Sequence, residues 1–148
     1  MCGCVSAAPS ASGWGVKARL PLNLVVVVPA VENAISSDAF RPGDILTSRK
    51  GLTVEVNDTD AEGRLILADA LTYAQEKGAT RLIDLATLTG ACVTALGTVR
   101  TGMVGNDQEW MNRFFKVATE AHEKIWQLPS DEEYESLLKS SVADMKNV

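Results

Sequence analysis

The segment LVVVV at residues 24–28, closed by Pro29, constrains the fold of this chain more than any other feature. A continuous apolar run of this length, rich in β-branched residues, is typical of a strand that is buried on both faces. Sheets that contain such strands are covered by helices on both sides. We therefore predict an α/β protein with this segment inside its sheet.

Strand patterns and helical periods alternate along the rest of the chain. The runs that predict strands lie at residues 45–48, 52–56, 81–85 and 125–129, and the first two flank Lys50-Gly51, which predicts a short hairpin. The patterns that predict helices lie at residues 61–75, 90–96, 109–123 and 132–138. Gly78 predicts the stop of the first helix, and Asp131 predicts a cap on the last. The small residues of the second helix predict that it is buried, and the third should turn Phe114, Phe115 and Ala118 inward. This alternation predicts a layered α/β/α fold with a mostly parallel mixed sheet.

Length and composition suit one domain-sized core, since the chain has 148 residues of which 46% are hydrophobic. Residues 1–20 are rich in Ala, Ser and Gly without a clear period, and we predict an irregular segment there. Residues 21–148 carry the strand and helix patterns. Because no closing element is evident before Val148, we expect these residues to form only part of a domain.

Charge and hydropathy exclude several partners. The net charge is −5 and no run of Lys and Arg occurs, so we expect no nucleic-acid partner. The longest apolar run is far shorter than the roughly 20 residues that a membrane-spanning helix needs. The first twenty residues lack the basic and apolar regions of a secretory signal. We therefore expect no membrane association and a cytoplasmic location.

The residues with the most distinctive chemistry form the stretch NDTDAEGR at 57–64, where a predicted strand meets a predicted helix. In an extended segment, Asp58, Asp60 and Glu62 would share one face. Like charges placed so close together need a cation or a helix N-terminus to compensate them. Carboxylate oxygens suit divalent ions such as Mg, Mn, Ca or Zn. Arg64 adds a planar fork that suits a carboxylate-like anion.

Two other interpretations of the acidic stretch stay open at this point. Acidic residues just before a helix commonly accept hydrogen bonds from its free N–H groups. The spacing also resembles a calcium-binding EF-hand loop that begins at Asp58. Against that loop stand the strand pattern at residues 52–56, the apolar Ile66 at loop position nine and the short acid Asp69 at position twelve.

Several segments together resemble the leucyl aminopeptidase (cytosol aminopeptidase) family. The segments are TDAEGRL at 59–65 with ADAL at 68–71, VPAVEN at 28–33, RPGDI at 41–45, DLATLTGA at 84–91 and ADM at 143–145. They stand in the order that the family shows, and the likeness is clear from about Pro21 onward. The resemblance identifies this chain as a partial catalytic domain, truncated at both ends.

The resemblance implies a two-metal exopeptidase that releases N-terminal residues, often leucine, from peptides. It implies that Asp60 and Glu62 are ligands of two divalent ions, Zn or Mn, which generate a hydroxide. It also implies that Arg64 is the catalytic residue that holds a bicarbonate ion beside the metals. The family usually has Asn where this chain has Asp58, which adds a negative charge next to the ligands.

The resemblance also implies a substrate-binding loop and a set of partners. Thr87, Leu88 and Gly90 correspond to the loop that binds the peptide substrate, and the family assembles into homo-hexamers. The other metal ligands and two lysines of the family would lie before Met1, so we expect this chain alone to be inactive. The alternative is a non-catalytic, truncated member that acts only through subunit association.

Overall fold

The computed structural model describes residue 21, residues 23–148 and the backbone of Cys4–Val5. The chain divides into two compact units. The first comprises Met1–Ala86 and Leu138–Val148, and the second comprises Thr87–Leu137. Most of the predicted irregular segment, residues 1–20, lies outside the described residues. Its described part, Cys4–Val5, forms strand β1, which pairs antiparallel with β2 at Val28–Pro29.

The first unit is built on a three-stranded sheet with β4 at its centre. Strand β3, Ile45–Thr47, pairs antiparallel with β4, Thr53–Glu55, which confirms the predicted hairpin. Gly51 adopts a φ of +90° in the connecting turn, a conformation that glycine tolerates at little cost. On the other side of β4 runs β7, Met145–Lys146, which is parallel to it. Residues 145–146 therefore add a third strand to this sheet, although no such element was evident from the sequence.

Helix α1, Gly63–Glu76, follows the sheet and confirms the predicted helix. Its small residues Ala70 and Ala74 are buried, as are Val54 and Val56 of the sheet region. Gly78, with a φ of +87°, follows the helix at the predicted stop, because glycine accepts the left-handed backbone that ends many helices. Burial of these side chains forms the core of the first unit.

Arg49, in the hairpin turn, connects the sheet to α1. Its backbone N–H donates to Asp69 Oδ1 at 2.8 Å, and its guanidinium donates to both carboxylate oxygens of Glu76 at 2.8–3.1 Å. The hydrogen bond from Arg49 lowers the pKa of Glu76. Because both side chains are more than 40% exposed, the ion pair fixes geometry more than it stabilises the fold.

The second unit contains one crossover between two parallel strands. Strand β5, Thr101–Met103, pairs with β6, Ile125–Gln127, and helix α3, Gln108–Glu120, connects them. Helix α2, Gly90–Leu96, precedes β5, and helix α4, Glu132–Ser136, follows β6. The predicted helices and the extended piece of this unit are thereby confirmed.

Three predicted details of the second unit are wrong. Helix α2 has no buried residue, and Val93 is 55% exposed. In α3, Ala118 is buried as predicted, but Phe115 is exposed. Asp131 stands at the N-cap of α4 yet accepts no hydrogen bond there. The three errors have the same origin. The residue type shows which contacts a side chain can form, but only the fold decides whether a partner lies close enough to form them.

Two predicted strands are absent from the described residues. Of the LVVVV segment only Val28 lies in a strand, and Leu24 is 55% exposed. Residues 81–85 form no strand, and Leu85 is 83% exposed. An apolar run becomes a buried strand only where neighbouring strands and covering helices are available. Among the described residues only β1 pairs with the first segment, and none pairs with the second.

The α/β class is confirmed. In the described part of the chain the strands form three small sheets of two, three and two strands, with both parallel and antiparallel pairings. Helices and strands alternate along the second unit, as the sequence predicts, whereas in the first unit the four strands β1–β4 precede helix α1. Over residues 23–148, no helix is both long enough and apolar enough to cross a membrane.

Asp144 and Thr53 connect β7 to β4 through three hydrogen bonds. Asp144 Oδ2 accepts from the backbone N–H and from the hydroxyl of Thr53, both at 2.8 Å, and the Asp144 N–H donates to Thr53 Oγ1 at 3.0 Å. The backbone hydrogen bond and then the hydroxyl hydrogen bond lower the pKa of Asp144. A carboxylate whose pKa falls on folding stabilises the fold when it is ionised.

We expect Asp144→Asn to lower the thermal midpoint at pH 7. Because the pKa of Asp144 is lowered on folding, its ionised carboxylate stabilises the fold fully above about pH 4, the ordinary pKa range of aspartate. This stabilisation is lost as the pH falls through the lower pKa of the folded state. The difference between the two proteins should therefore shrink in melts, followed by circular dichroism, that are repeated at falling pH. Asp131→Asn removes the same charge without a hydrogen bond and is the control. An equal effect at every pH would contradict the prediction.

Candidate metal-binding turn

The acidic stretch forms a tight turn between β4 and α1, which we call the acidic turn (residues 57–62). Asp58 Oδ1 accepts from the Asp60 N–H at 2.9 Å, and the Ala61 N–H donates to the Asp58 carbonyl at 3.3 Å. The chain therefore bends here and is not extended. The expectation that Asp58, Asp60 and Glu62 share a face through strand alternation is wrong, because Asp58 folds back onto the backbone of the turn.

The carboxylates of Asp60 and Glu62 accept no hydrogen bond from any residue that the structure describes. Asp60 is exposed, and Glu62 is half-buried. Glu62 stands at the N-cap of α1 with helical backbone angles, φ −76° and ψ −32°, and its side chain forms no cap hydrogen bond. An N-cap residue that accepts such a bond has an extended backbone. The capping interpretation therefore has no support at Glu62.

The calcium-loop interpretation also fails on the geometry. A strand, β4, leads into the acidic turn, whereas an EF-hand loop is entered from a helix. Asp69, which would have to be the last ligand of such a loop, lies within α1 and accepts from the Arg49 N–H. Asp58 and Asp69, the first and last ligands of such a loop, are therefore already engaged in hydrogen bonds of the fold.

Asn147 forms hydrogen bonds with the backbone of the acidic turn. The sequence pattern did not indicate this role. Its side chain is only 3% exposed, the most buried polar residue in the described part of the chain. Its Oδ1 accepts from the N–H groups of Asn57 at 2.9 Å and Asp58 at 3.3 Å. Its Nδ2 donates to the carbonyls of Asp58 at 2.6 Å and Ala61 at 3.4 Å. Only the tertiary structure could show these hydrogen bonds, because Asn147 and its partners are 86 to 90 positions apart in the sequence.

Arg64 lies in the first turn of α1, beside the acidic turn. Its Nη1 donates to the Asn147 carbonyl at 2.9 Å. Its Nε is buried and has no partner among the described residues. A buried N–H without an acceptor is costly, so a small anion would be a favourable partner at this position. The guanidinium is thus held by one hydrogen bond and retains donor capacity.

Glu62 also borders a cleft of about 300 Å³ between the hairpin and α1. Its lining is mainly apolar and includes Phe40, Leu46, Leu65 and Asp69. Of its two acidic residues, Asp69 accepts from the Arg49 N–H. Glu62 is therefore the acid at this cleft whose two carboxylate oxygens both lack a hydrogen bond from the described residues.

The predicted substrate loop lies in the second unit. Thr87 and Leu88 precede α2 in irregular backbone, and Gly90 is the first residue of the helix. All three are exposed, Leu88 by 46%. Asp60, Glu62 and Arg64 are thus brought together within one turn, whereas Thr87, Leu88 and Gly90 belong to the other unit. His122, which follows α3, is exposed and has a φ of 60°.

The oxygen donors of the acidic turn fit part of a divalent metal site. Asp60 and Glu62 offer the carboxylate oxygens that such ions bind. Among the described residues, no group of three or more His, Cys, Asp or Glu could hold a metal ion. These residues could therefore hold a metal only weakly by themselves, and a full site needs ligands from outside the described part of the chain.

A comparison with protein families agrees with this geometry. The catalytic-domain model of the cytosol aminopeptidase family matches residues 1–148. The chain belongs to this family. The match begins at the first residue, about twenty positions before the motifs become clear.

Curated relatives and a solved structure show the same similarity. A probable cytosol aminopeptidase of Alkaliphilus oremlandii is 54% identical over 127 residues, 86% of this chain and 26% of that protein. Another, from Xylella fastidiosa, is 53% identical over 133 residues, 90% of this chain and 27% of that protein. The solved structure is that of a mutant tomato leucine aminopeptidase, which is 48% identical in sequence. It superposes with a TM-score of 0.79 and covers 81% of this chain and 24% of that chain. The chain spans about a quarter of the length of these relatives.

We expect Glu62→Ala to leave the stability of the chain nearly unchanged, because Glu62 forms no cap hydrogen bond. The matched control is Asp107→Ala, since Asp107 caps α3 by accepting from the Trp110 N–H at 2.9 Å. Loss of a true cap costs about 1 kcal/mol, whereas a substitution that removes no cap or other specific contact usually stays within about 0.5 kcal/mol. Urea denaturation of both variants measures the difference. Equal destabilisation would show that Glu62 serves the helix.

Proposed function

We propose that this chain is part of the catalytic domain of a metal-dependent aminopeptidase that releases N-terminal residues, leucine among them, from peptides. The observation that carries the proposal is the acidic turn, in which Asp60 and Glu62 have unpaired carboxylates although the surrounding backbone is held in place. Membership of the cytosol aminopeptidase family supports the reaction, since the named relatives are aminopeptidases.

Asp60 and Glu62 are the proposed ligands of two divalent ions, Zn or Mn. Such a pair of metals supplies Lewis-acid polarisation of the peptide carbonyl and lowers the pKa of water to near neutral. The carboxylates of this chain would hold the ions, and the backbone carbonyl of Asp60 would add a further oxygen ligand. An unpartnered side chain on an ordered turn is suited to this role, because no existing bond has to break.

Arg64 is the proposed holder of a bicarbonate ion next to the metals. The buried, unpartnered Nε of Arg64 supports this role, since a carbonate oxygen would satisfy it. The hydrogen bond from Nη1 to the Asn147 carbonyl orients the guanidinium. A fixed, positively charged guanidinium group would keep the anion in one position. There the anion could accept a proton from water.

Thr87, Leu88 and Gly90 are the proposed substrate-binding residues. The carbonyl of Leu88 and the N–H of Gly90 would bind the peptide backbone, and Thr87 and Gly90 would border the side-chain pocket. Their exposure supports this role, because the loop is free to meet a ligand. The names of the relatives further support a cytoplasmic protein, and we propose a homo-hexamer as its assembled form.

A second candidate function is association without catalysis. Exposed apolar side chains favour it, in particular Leu85, which is 83% exposed, and Ile83, which is 53% exposed. Exposed apolar surface of this kind commonly marks a contact with further protein. A truncated member of the family could therefore act only by joining intact subunits.

We expect the 148-residue chain alone to show no aminopeptidase turnover. Two carboxylates without a third protein ligand should hold Mn²⁺ or Zn²⁺ weakly. The assay is release of p-nitroaniline from leucine p-nitroanilide with either metal added, beside the Glu62→Ala variant. Turnover of the unaltered chain well above that of Glu62→Ala would contradict this expectation.

A chimera tests whether these residues support catalysis in a complete protein. The 133 aligned residues of this chain would replace their counterparts in the Xylella fastidiosa relative. We expect leucine p-nitroanilide hydrolysis by the chimera, and a loss of at least about 100-fold on Glu62→Ala, as removal of metal-site groups typically causes. Glu123→Ala, on an exposed residue beyond α3, should have no effect. Full activity in the Glu62→Ala chimera would refute the proposed metal ligand, whereas a chimera that is inactive without any substitution would favour the second candidate.

A further inference from the structure

Asn147 contacts the acidic turn on both sides of Asp60. The N–H groups of Asn57 and Asp58, from which its Oδ1 accepts, precede Asp60, whereas the Ala61 carbonyl, to which its Nδ2 donates, follows it. The backbone between these points has little freedom, because both ends are held by one rigid amide. Asn147 therefore restricts the backbone on both sides of Asp60, as far as the residue before the N-cap Glu62.

Only an amide side chain can form this set of bonds. Two N–H groups face Oδ1 and two carbonyls face Nδ2, so the opposite orientation of the amide would set donor against donor and acceptor against acceptor. An aspartate would keep the acceptor but place an oxygen against both carbonyls. An alanine would leave all four backbone groups unsatisfied in a buried position, which is strongly unfavourable.

Asn147 is itself fixed by the sheet. Its backbone N–H donates to the Glu55 carbonyl at 3.0 Å, directly after β7 pairs with β4. Its carbonyl accepts from Arg64. One residue thus joins the sheet, the acidic turn and the arginine beside it.

We propose that Asn147 is a positioning residue that holds Asp60 and Glu62 in place for metal binding. The inference rests on the proposed function, in which these two carboxylates are metal ligands. Asn147 does not touch the metal or the substrate in this role. It acts through the backbone of the acidic turn, as hydrogen-bonded outer groups act on metal ligands in general.

The test compares Asn147→Asp and Asn147→Ala in the 148-residue chain. Mn²⁺ binding is followed by the loss of the free-ion signal in electron paramagnetic resonance, at concentrations around the roughly millimolar range expected of a sparse oxygen site. Both variants should bind Mn²⁺ at least about tenfold more weakly than the unaltered chain. Ser140→Ala is the matched control, because Ser140 donates to Glu55 in the same sheet but does not contact the acidic turn. It should bind Mn²⁺ like the unaltered chain.

Amide hydrogen exchange supplies a readout that is independent of metal. In the Asn147 variants the N–H groups of the acidic turn should exchange at least about tenfold faster, while those that pair β3 with β4 remain protected. If Asn147→Asp also removes protection from the β3–β4 hairpin, Asn147 supports the fold in general and the proposal is overturned. The proposal is likewise overturned if turn exchange is unchanged, or if the turn amides are unprotected in the unaltered chain.

A Glu62→Gln variant separates the two levels of inference. If it binds Mn²⁺ more weakly than the unaltered chain but the Asn147 variants do not, the metal site stands and the positioning role of Asn147 is overturned. If it binds Mn²⁺ as the unaltered chain does, or neither binds it, the metal ligands of the proposed function fail and the positioning role fails with them. Weaker binding in both Glu62→Gln and the Asn147 variants supports both.

Discussion

The pairing of β4 with β7 is the interaction on which the described site depends. It joins residues about 90 positions apart in the chain, with Val54 opposite Met145 and Glu55 opposite Lys146. Thr53 and Asp144 connect one end of this pair through side-chain hydrogen bonds, and Asn147 continues from the other end into the acidic turn. Without β7, the turn would have no buried amide to organise it, and Arg64 would lose the carbonyl that orients its guanidinium. The sheet therefore positions the candidate site residues as well as the side chains of the core.

The acidic turn places negative charge where the fold gives it little compensation. Asp58 accepts a hydrogen bond from the turn itself, while Asp60 and Glu62 accept none from the described residues. The carboxylates of Asp60 and Glu62 therefore add no hydrogen bond to the fold, and in the proposed function a divalent cation would bind them. The hydrogen bonds of Asn147 hold the backbone of the same turn.

The parts of the fold that were predictable are those governed by local chemistry. The helix at residues 61–75 could be predicted because its apolar period and the stop at Gly78 are contained within the segment, and the hairpin around Gly51 for the same reason. Leu24 and Leu85 were expected inside a sheet and are exposed, because burial depends on partners that the local sequence does not contain. The motif residues Asp60, Glu62 and Arg64 could be selected from charge spacing and family resemblance. Their spatial arrangement could not, since strand alternation suggested an extended segment where the chain forms a turn.

The sequence by itself determined the α/β class and the family, and it selected Asp60, Glu62 and Arg64 as candidate site residues, because these follow from residue type, spacing and motif order. Tertiary structure alone decided that Asn147 bonds the backbone of the acidic turn and that β7 pairs with β4. The physical reason is that a single asparagine carries no local signal. Its amide becomes informative only when folding buries it against four backbone groups that are distant in sequence and cannot otherwise be satisfied.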